Sequence, residues 1–154
     1  DYLLFKEGNS MLAGLKTKEV TARLRERGFK VTPQRLAVYN ALAHTTAHPS
    51  AETLYRELLE DYPTMSLATV YKSLNIFCMV GIAQELNVGE DSFRYDANVK
   101  AHPHIRCQHC GKVDDVNGLP EDSLSQQIAA ETGYRLTGQQ YYFYGVCPAC
   151  QQAE

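Results

Sequence analysis

Four cysteines in two matched pairs, Cys107-Gln-His-Cys110 and Cys147-Pro-Ala-Cys150, constrain this chain more than any other feature. Two C-x-x-C units brought together supply four thiolates, which close a tetrahedral zinc site and leave no position for a substrate. Soft sulfur ligands select soft or borderline metals, and an ion so enclosed can only staple. The competing readings are two disulfides, or one thioredoxin-like redox pair. No secretory hydrophobic segment is visible and a fifth cysteine, Cys78, would be left over, so an oxidising compartment is not expected. Cys78 itself, between Phe77 and Met79 on a helix, reads as a small buried hydrophobe rather than a thiol sensor.

A chain of 154 residues can form one ordinary domain or two small ones. Its 44% hydrophobic content is that of a globular protein, and no apolar run approaches the length of a membrane span. A net charge of -3 gives no global argument for nucleic acid. The distribution does: Lys16, Lys18, Arg23, Arg25, Arg27, Lys30 and Arg35 face only Glu19 and Glu26 in the same stretch. Beyond residue 113 the balance turns acidic, with Asp114, Asp115, Glu121, Asp122 and Glu131. Such asymmetry suggests one half that approaches an anion, although charge alone favours the plainer reading of a solvated helix face. Residues 1–10 precede Met11 and read as a tag or disordered arm with no assigned function.

The first half has helical punctuation. Thr17 is positioned to cap a helix carrying Val20 and Leu24 and stopped at Gly28. Thr32 before Pro33 opens a second, with Leu36, Tyr39 and Ala43 on one face beside Val38 and Leu42. Ser50 opens a third, with Leu54 and Leu58, closed before Pro63. Ser66 opens a fourth, whose Val70, Leu74 and Phe77 form a stripe ending at Gly81. Residues 82–86 and 92–95, joined across Gly89-Glu90-Asp91, read as a β-hairpin. Short helices followed by a hairpin are the layout of a winged helix-turn-helix, whose last helix would enter the major groove. Opposite its stripe lie Ser66, Thr69, Lys72 and Ser73, suited to phosphates and base edges. Tyr71, at the edge, either touches a thymine methyl or the sugar-phosphate wall, or is a half-buried core residue. With Lys16 and Arg35 from the basic run, Ser66, Thr69, Tyr71 and Lys72 are the expected DNA contacts.

The second half is expected to be strand-rich: Ile105-Arg106-Cys107, then Lys112 to Val116, a helix from Pro120 to about Thr132, and a strand-rich run from Tyr134 to Cys147. Leu124 and Ile128 share a face of that helix, Glu121 and Asp122 suit its positive end, and Gly133 stops it. The cysteine pairs then join the first strand turn of this half to its last strand. So small a sheet buries too little to stand alone, which explains a staple. The expected class is α+β, with a winged-helix domain over residues 11–97 and a small zinc-stapled α/β dimerisation domain over residues 98–154.

A second metal site is suggested by residues other than cysteine. His102-Pro-His104 puts two imidazoles on one side of an extended segment. Asp96 ends the hairpin, Asp115 lies beyond the first cysteine pair, and His48 stands at the third helix. A mixed nitrogen and oxygen shell suits Fe(II), Mn(II) or, less selectively, Zn(II). Spacing singles out His102 and His104; Asp96 reads equally as a turn cap, Asp115 is less specific, and spacing does not reach His48. Two histidines and a carboxylate also describe non-haem Fe(II) oxygenases, but four helices and a hairpin suggest neither their cavity nor their barrel. A zinc-stapled interaction module without DNA binding is a further alternative. His109 is expected to face solvent.

Gly28-Phe-Lys-Val-Thr-Pro-Gln-Arg35, His48-Pro-Ser-Ala-Glu-Thr-Leu-Tyr55, Ser66-Leu-Ala-Thr-Val-Tyr71, Phe93-Arg-Tyr-Asp96, His102-Pro-His104 and the paired cysteines resemble, in order and spacing, the ferric uptake regulator family. The likeness runs from about Leu15 to Cys150. It implies a cytoplasmic bacterial repressor, a homodimer of winged-helix domains joined through zinc-stapled dimerisation domains. It implies too that His48, Asp96, His102, His104 and Asp115 form a regulatory metal site, whose ion sets the DNA-binding domains to fit a palindromic operator. The family's iron sensors usually carry glutamates where this chain has Asp96 and Asp115, and often a further site flanking the His-x-His pair. Here the flanking residues are Ala101 and Pro103, which cannot ligate. The chain is therefore most similar to the peroxide-response branch, in which Fe(II) and hydrogen peroxide oxidise the histidines matching His48 and His102, whereas Mn(II) supports DNA binding without that chemistry. The alternative within the family is an iron, manganese or zinc uptake regulator.

Overall fold

In the computed structural model, which describes residues 14–89, 91–100, 102–117 and 123–153, helix α1 spans Thr17–Glu26. Its cap is Lys16 and not Thr17, because the Glu19 carboxylate reaches back to accept the Lys16 N–H at 2.9 Å. Gly28, at φ 77°, turns the chain out of the helix and lets the Phe29 N–H reach the Leu24 carbonyl at 2.9 Å. Helices α2 (Pro33–Ala43), α3 (Ala51–Leu58) and α4 (Leu67–Met79) open at the hydroxyl caps expected. Thr32 accepts from the Arg35 N–H at 3.1 Å, Ser50 from Thr53 at 3.2 Å and Ser66 from Thr69 at 3.1 Å. Strands β1 (Gln84–Leu86) and β2 (Arg94–Asp96) pair antiparallel as the hairpin, with Glu85 opposite Tyr95.

The apolar faces of these helices meet in one core. Val20 and Leu24, Val38 and Leu42, Leu54 and Leu58, Val70, Leu74 and Phe77, and Ile82 and Tyr95 are all buried in it. Each fully buried side chain of this size contributes about 1.5–3 kcal/mol before the entropy of ordering is subtracted. Tyr39 packs edge-on against Phe77 at 5.4 Å, and its hydroxyl accepts the Leu15 N–H at 2.8 Å, tying the chain before α1 to α2. Cys78 packs against the same core, and burial pushes its thiol up to about 11, away from reactivity. Ser73, expected on the outer face of α4, is buried instead, because Ile76 widens the stripe on that side.

The described residues divide into two compact units, one ending at Val99 and one beginning at Lys100. In the second unit β3 (His104–Cys107) is the central strand, antiparallel to β4 (Val113–Asp115) and parallel to β5 (Tyr142–Gly145). Helix α5 spans Ser123–Thr132, and a short α6, Pro148–Gln152, follows the last strand. In the strand-rich run expected over residues 134–147 the strand is Tyr142–Gly145, and α6 forms where the sequence reading had no helix. Residues 1–10, Glu90, Ala101, Pro120, Glu121 and Asp122 lie outside the described residues. No helix among the described residues is long and apolar enough to cross a membrane.

Burial within this second unit is sparse. Among its described residues only His104, Cys107 and Val113 are buried, while Leu124, Ile128, Leu136, Phe143 and Tyr144 are exposed. Two of its three most enclosed side chains are therefore candidate metal ligands. A unit built this way needs a metal and an apolar partner surface where a larger domain would use a hydrocarbon core.

Candidate metal centres

The turn after β3 and the N-terminus of α6 hold the cysteines. Cys107 ends β3, and its N–H and carbonyl close the turn carrying Cys110, through Lys112 O at 2.9 Å and Gly111 N at 3.0 Å. Cys147 caps α6 with Pro148 at the first helical position, which places Cys150 one turn further along. Gln108 N–H binds Gly145 O at 2.8 Å and so fixes one loop against the other. The four sulfurs all lie within 4.8 Å of one another, and Cys110 Sγ is 3.8 Å from Cys147 Sγ. A disulfide needs about 2.05 Å. Four sulfurs at about 2.3 Å from a tetrahedral ion have edges of about 3.8 Å, so this spacing fits Zn(II). The Cys107 thiol is held down to about 5 by the backbone N–H of Cys110 and then of Cys147, the latter 3.3 Å from its sulfur. Cys150 is pushed up to about 12, first by hydrogen bonding with Cys147. Without a cation the sulfurs must share protons, because four thiolates cannot sit together uncompensated.

Imidazoles and carboxylates form a cluster in each unit. In the second unit, antiparallel register puts His104 opposite Asp115, and parallel register puts it beside Tyr142, whose ring stacks 6.3 Å away. His102, two residues before on the same side, lies 4.3 Å ring to ring from His104. Both point Nε2 at one atom, Asp115 Oδ1, from 2.8 Å for His102 and 3.2 Å for His104. The tautomer of His102 follows from its other nitrogen, which lies 2.6 Å from Lys100 O. A carbonyl only accepts, so Nδ1 carries the hydrogen, and a neutral His102 presents its Nε2 lone pair to a carboxylate lone pair. Two acceptors at 2.8 Å require a proton or a cation between them. Metal-bound histidines commonly donate their second N–H to a backbone carbonyl in this way. Ligands at about 2.1 Å and right angles stand about 3.0 Å apart, the spacing seen here.

In the first unit His48 and Asp96 make a smaller cluster. His48 is buried, and among the described residues it is the only non-glycine with positive φ, at 51°. Its Nε2 stands 3.3 Å from Asp96 Oδ2, while the other carboxylate oxygen accepts the Asn98 N–H at 2.8 Å. Strand β2 also grips the segment carrying His48: Arg94 Nη1 donates to His48 O at 3.0 Å and Tyr95 N–H to Pro49 O at 3.0 Å. Sequence reasoning missed both holding residues and the Lys100 carbonyl. The visible signal for Arg94 and Tyr95 was the Phe-Arg-Tyr-Asp run itself, which does not extend to Lys100.

The expected DNA contacts are more dispersed. Lys16, Ser66, Tyr71 and Lys72 are exposed, and Thr69 and Arg35 are half-buried. Ser66 and Thr69 also hydrogen-bond each other at 2.9 Å, so both hydroxyls take part in capping α4. Arg35 donates to the Lys30 carbonyl and braces the loop before α2. Tyr71 is no core residue: its ring lies on the surface and its hydroxyl donates to Glu52 on α3 at 2.5 Å. That bond holds the Glu52 carboxyl below its usual range. His109 is exposed.

A winged helix-turn-helix unit followed by a small unit cored on metal-ligand side chains defines a metal-responsive DNA-binding regulator. The chain belongs to the ferric uptake regulator family, which its residues 26–144 match. It is 50% identical over 133 residues to the transcriptional regulator PerR of Clostridium acetobutylicum, covering 86% of this chain and 96% of that one. It is 36% identical over 143 residues to the peroxide operon regulator of Bacillus subtilis, covering 93% and 99%. Among solved structures it is similar to the Vibrio cholerae ferric uptake regulator, with TM-score 0.70 and 32% identity over 83% of this chain and 99% of that one. Regulators of this family are DNA-binding, dimeric repressors and not enzymes.

Proposed function

We propose that this chain is a homodimeric, metal-dependent repressor that senses hydrogen peroxide in the cytoplasm. Cys107, Cys110, Cys147 and Cys150 hold a structural Zn(II) that completes the second unit. His48, Asp96, His102, His104 and Asp115 together hold one regulatory Fe(II) or Mn(II) ion. The observation that carries this reading is the pair of imidazole Nε2 atoms converging on Asp115 Oδ1, with the His102 tautomer fixed by Lys100 O. Two or three ligands leave a divalent ion under-coordinated, so the cluster of each unit is incomplete alone. One shared ion would settle the two units in a single arrangement, and that arrangement is what operator DNA selects.

Bound Fe(II) supplies the one-electron cleavage of the peroxide O–O bond. His48 and His102 receive the product: net, an imidazole C–H takes up one oxygen atom and the other leaves as water. An oxidised imidazole is a poorer ligand, so the clamp opens and repression ends. Both regulatory carboxylates are the shorter aspartate, and the PerR and peroxide operon relatives support this branch.

On DNA, α4 of each copy enters the major groove, and the two-fold axis of the dimer calls for a palindromic operator. Its half-sites would lie about 34 Å or a multiple apart. Lys16, Arg35, Ser66, Thr69, Tyr71 and Lys72 are the proposed contacts. Operator retardation is expected only when Mn(II) or Fe(II) is supplied to zinc-retaining protein. Under those conditions Lys72→Ala should weaken binding and flatten the log-log salt slope by about two, because each copy of the dimer loses one phosphate contact and each contact releases about one counterion. Tyr71→Phe, which keeps the exposed ring, should cost less than Tyr71→Ala. An unchanged slope and affinity in Lys72→Ala would move the reading helix elsewhere.

A further inference from the structure

The backbone at His48 is held as closely as its side chain. A histidine at φ 51° with its ring buried is an arrangement that local sequence does not favour, so its surroundings must impose it. Three consecutive residues of β2 do so. Arg94 takes the His48 carbonyl, Tyr95 N–H takes the Pro49 carbonyl, and Asp96 faces the His48 imidazole. Tyr95, whose side chain is buried in the core, anchors this strand, so the grip is rigid. Arg94 reaches His48 through its Nη1. It acts on the peptide carbonyl of the ligand residue, one bond from the atom whose φ and ψ aim the ring.

We propose that Arg94 is a positioning residue for the regulatory metal, holding His48 in its left-handed turn so that Nε2 is presented to the ion before the ion arrives. The inference rests on His48 being a ligand. A pre-aimed imidazole spends no binding energy on being ordered, and outer-shell partners of metal ligands typically change affinity by about 10–100-fold. The long arginine side chain spans the gap from β2 to a carbonyl forty-six residues away in sequence, with a charged donor that strengthens the bond.

The test compares Arg94→Ala, Arg94→Lys and His48→Ala in full-length, zinc-retaining protein, with folding checked by zinc content and thermal melting. Arg94→Ala should lower Mn(II) affinity by about tenfold, and Arg94→Lys, which keeps the charge without the fork, by less. In metal-free protein the Tyr95 amide, bonded to Pro49 O, should exchange faster with solvent in Arg94→Ala. In the Fe(II) protein at saturating metal, peroxide should place proportionally less oxygen on His48 and more on His102. A merely structural arginine would lower melting temperature without moving that ratio. If Arg94→Ala or Arg94→Lys folds and keeps both Mn(II) affinity and the His48:His102 ratio while His48→Ala loses affinity, the positioning role is wrong. If His48→Ala also keeps its affinity, the ligand assignment fails and the proposal with it.

Discussion

Cys107→Ser is expected to yield a protein that neither folds its second unit nor dimerises. Cys107 is one of only three buried residues among those described in that unit, and the backbone N–H groups of Cys110 and Cys147 favour its thiolate. A serine oxygen is a harder, poorer ligand for a zinc site otherwise made of sulfur, and three thiolates would remain packed without their full counter-charge. Structural zinc contributes about 10–16 kcal/mol to small metal-dependent folds, comparable to the roughly 5–15 kcal/mol stability of a whole domain. The first unit, with its own hydrocarbon core, should stay folded. Size-exclusion chromatography with zinc analysis checks this. A folded, dimeric Cys107→Ser protein without zinc would show that the staple is dispensable.

Asp115→Asn should have the opposite profile, an intact fold with regulation abolished. His104 is a poor choice for this purpose, since it is buried at 2% exposure and its removal would leave a cavity as well as a missing ligand. Asparagine keeps the shape of Asp115 but replaces one oxygen by an amide that can donate to the Nε2 lone pairs. The acceptor-against-acceptor contact at His102 then disappears without any ion. Metal-free Asp115→Asn should therefore melt no lower than the parent. Loss of an anionic inner ligand should weaken Mn(II)-activated operator binding by more than about 100-fold, beyond the range typical of outer-shell changes. Operator titrations against Mn(II), with zinc content measured in parallel, give the answer. Parental affinity at limiting Mn(II) would remove Asp115 from the site.

Much of this was legible because it is local. A hydroxyl at Ser50 or Ser66 caps the helix that follows whatever the rest of the chain does, and a C-x-x-C pair closes its own turn. His102-Pro-His104 needed only the two-residue repeat of an extended chain to put both imidazoles on one side. What failed depended on distant partners. Tyr134 and Leu136 have strand-like composition, yet β3 accepts β5 only along Tyr142–Gly145, and strand preference means little without a neighbouring strand. The turn at His48 is set by Arg94, forty-six residues away. Nothing near His48 in sequence announces it. Ser73 was misplaced because α4 buries a broader face than the Val70, Leu74 and Phe77 stripe alone suggests. Helix α6 was readable in retrospect, from Pro148 standing directly after a capping position.

With iron bound, the His and Asp ligands should make this protein a peroxide sensor. The most direct measurement exposes the Fe(II)- and Mn(II)-loaded proteins to hydrogen peroxide, follows operator binding, and then maps added oxygen on every peptide by mass spectrometry. The Fe(II) protein should release the operator and gain one oxygen on the peptides containing His48 or His102, while the cysteine peptides, shielded by zinc, stay unmodified. The Mn(II) protein should keep its operator and its mass. An Fe(II) protein that stays on the operator under peroxide with both histidines unmodified would contradict peroxide sensing and leave a metal-uptake regulator in its place.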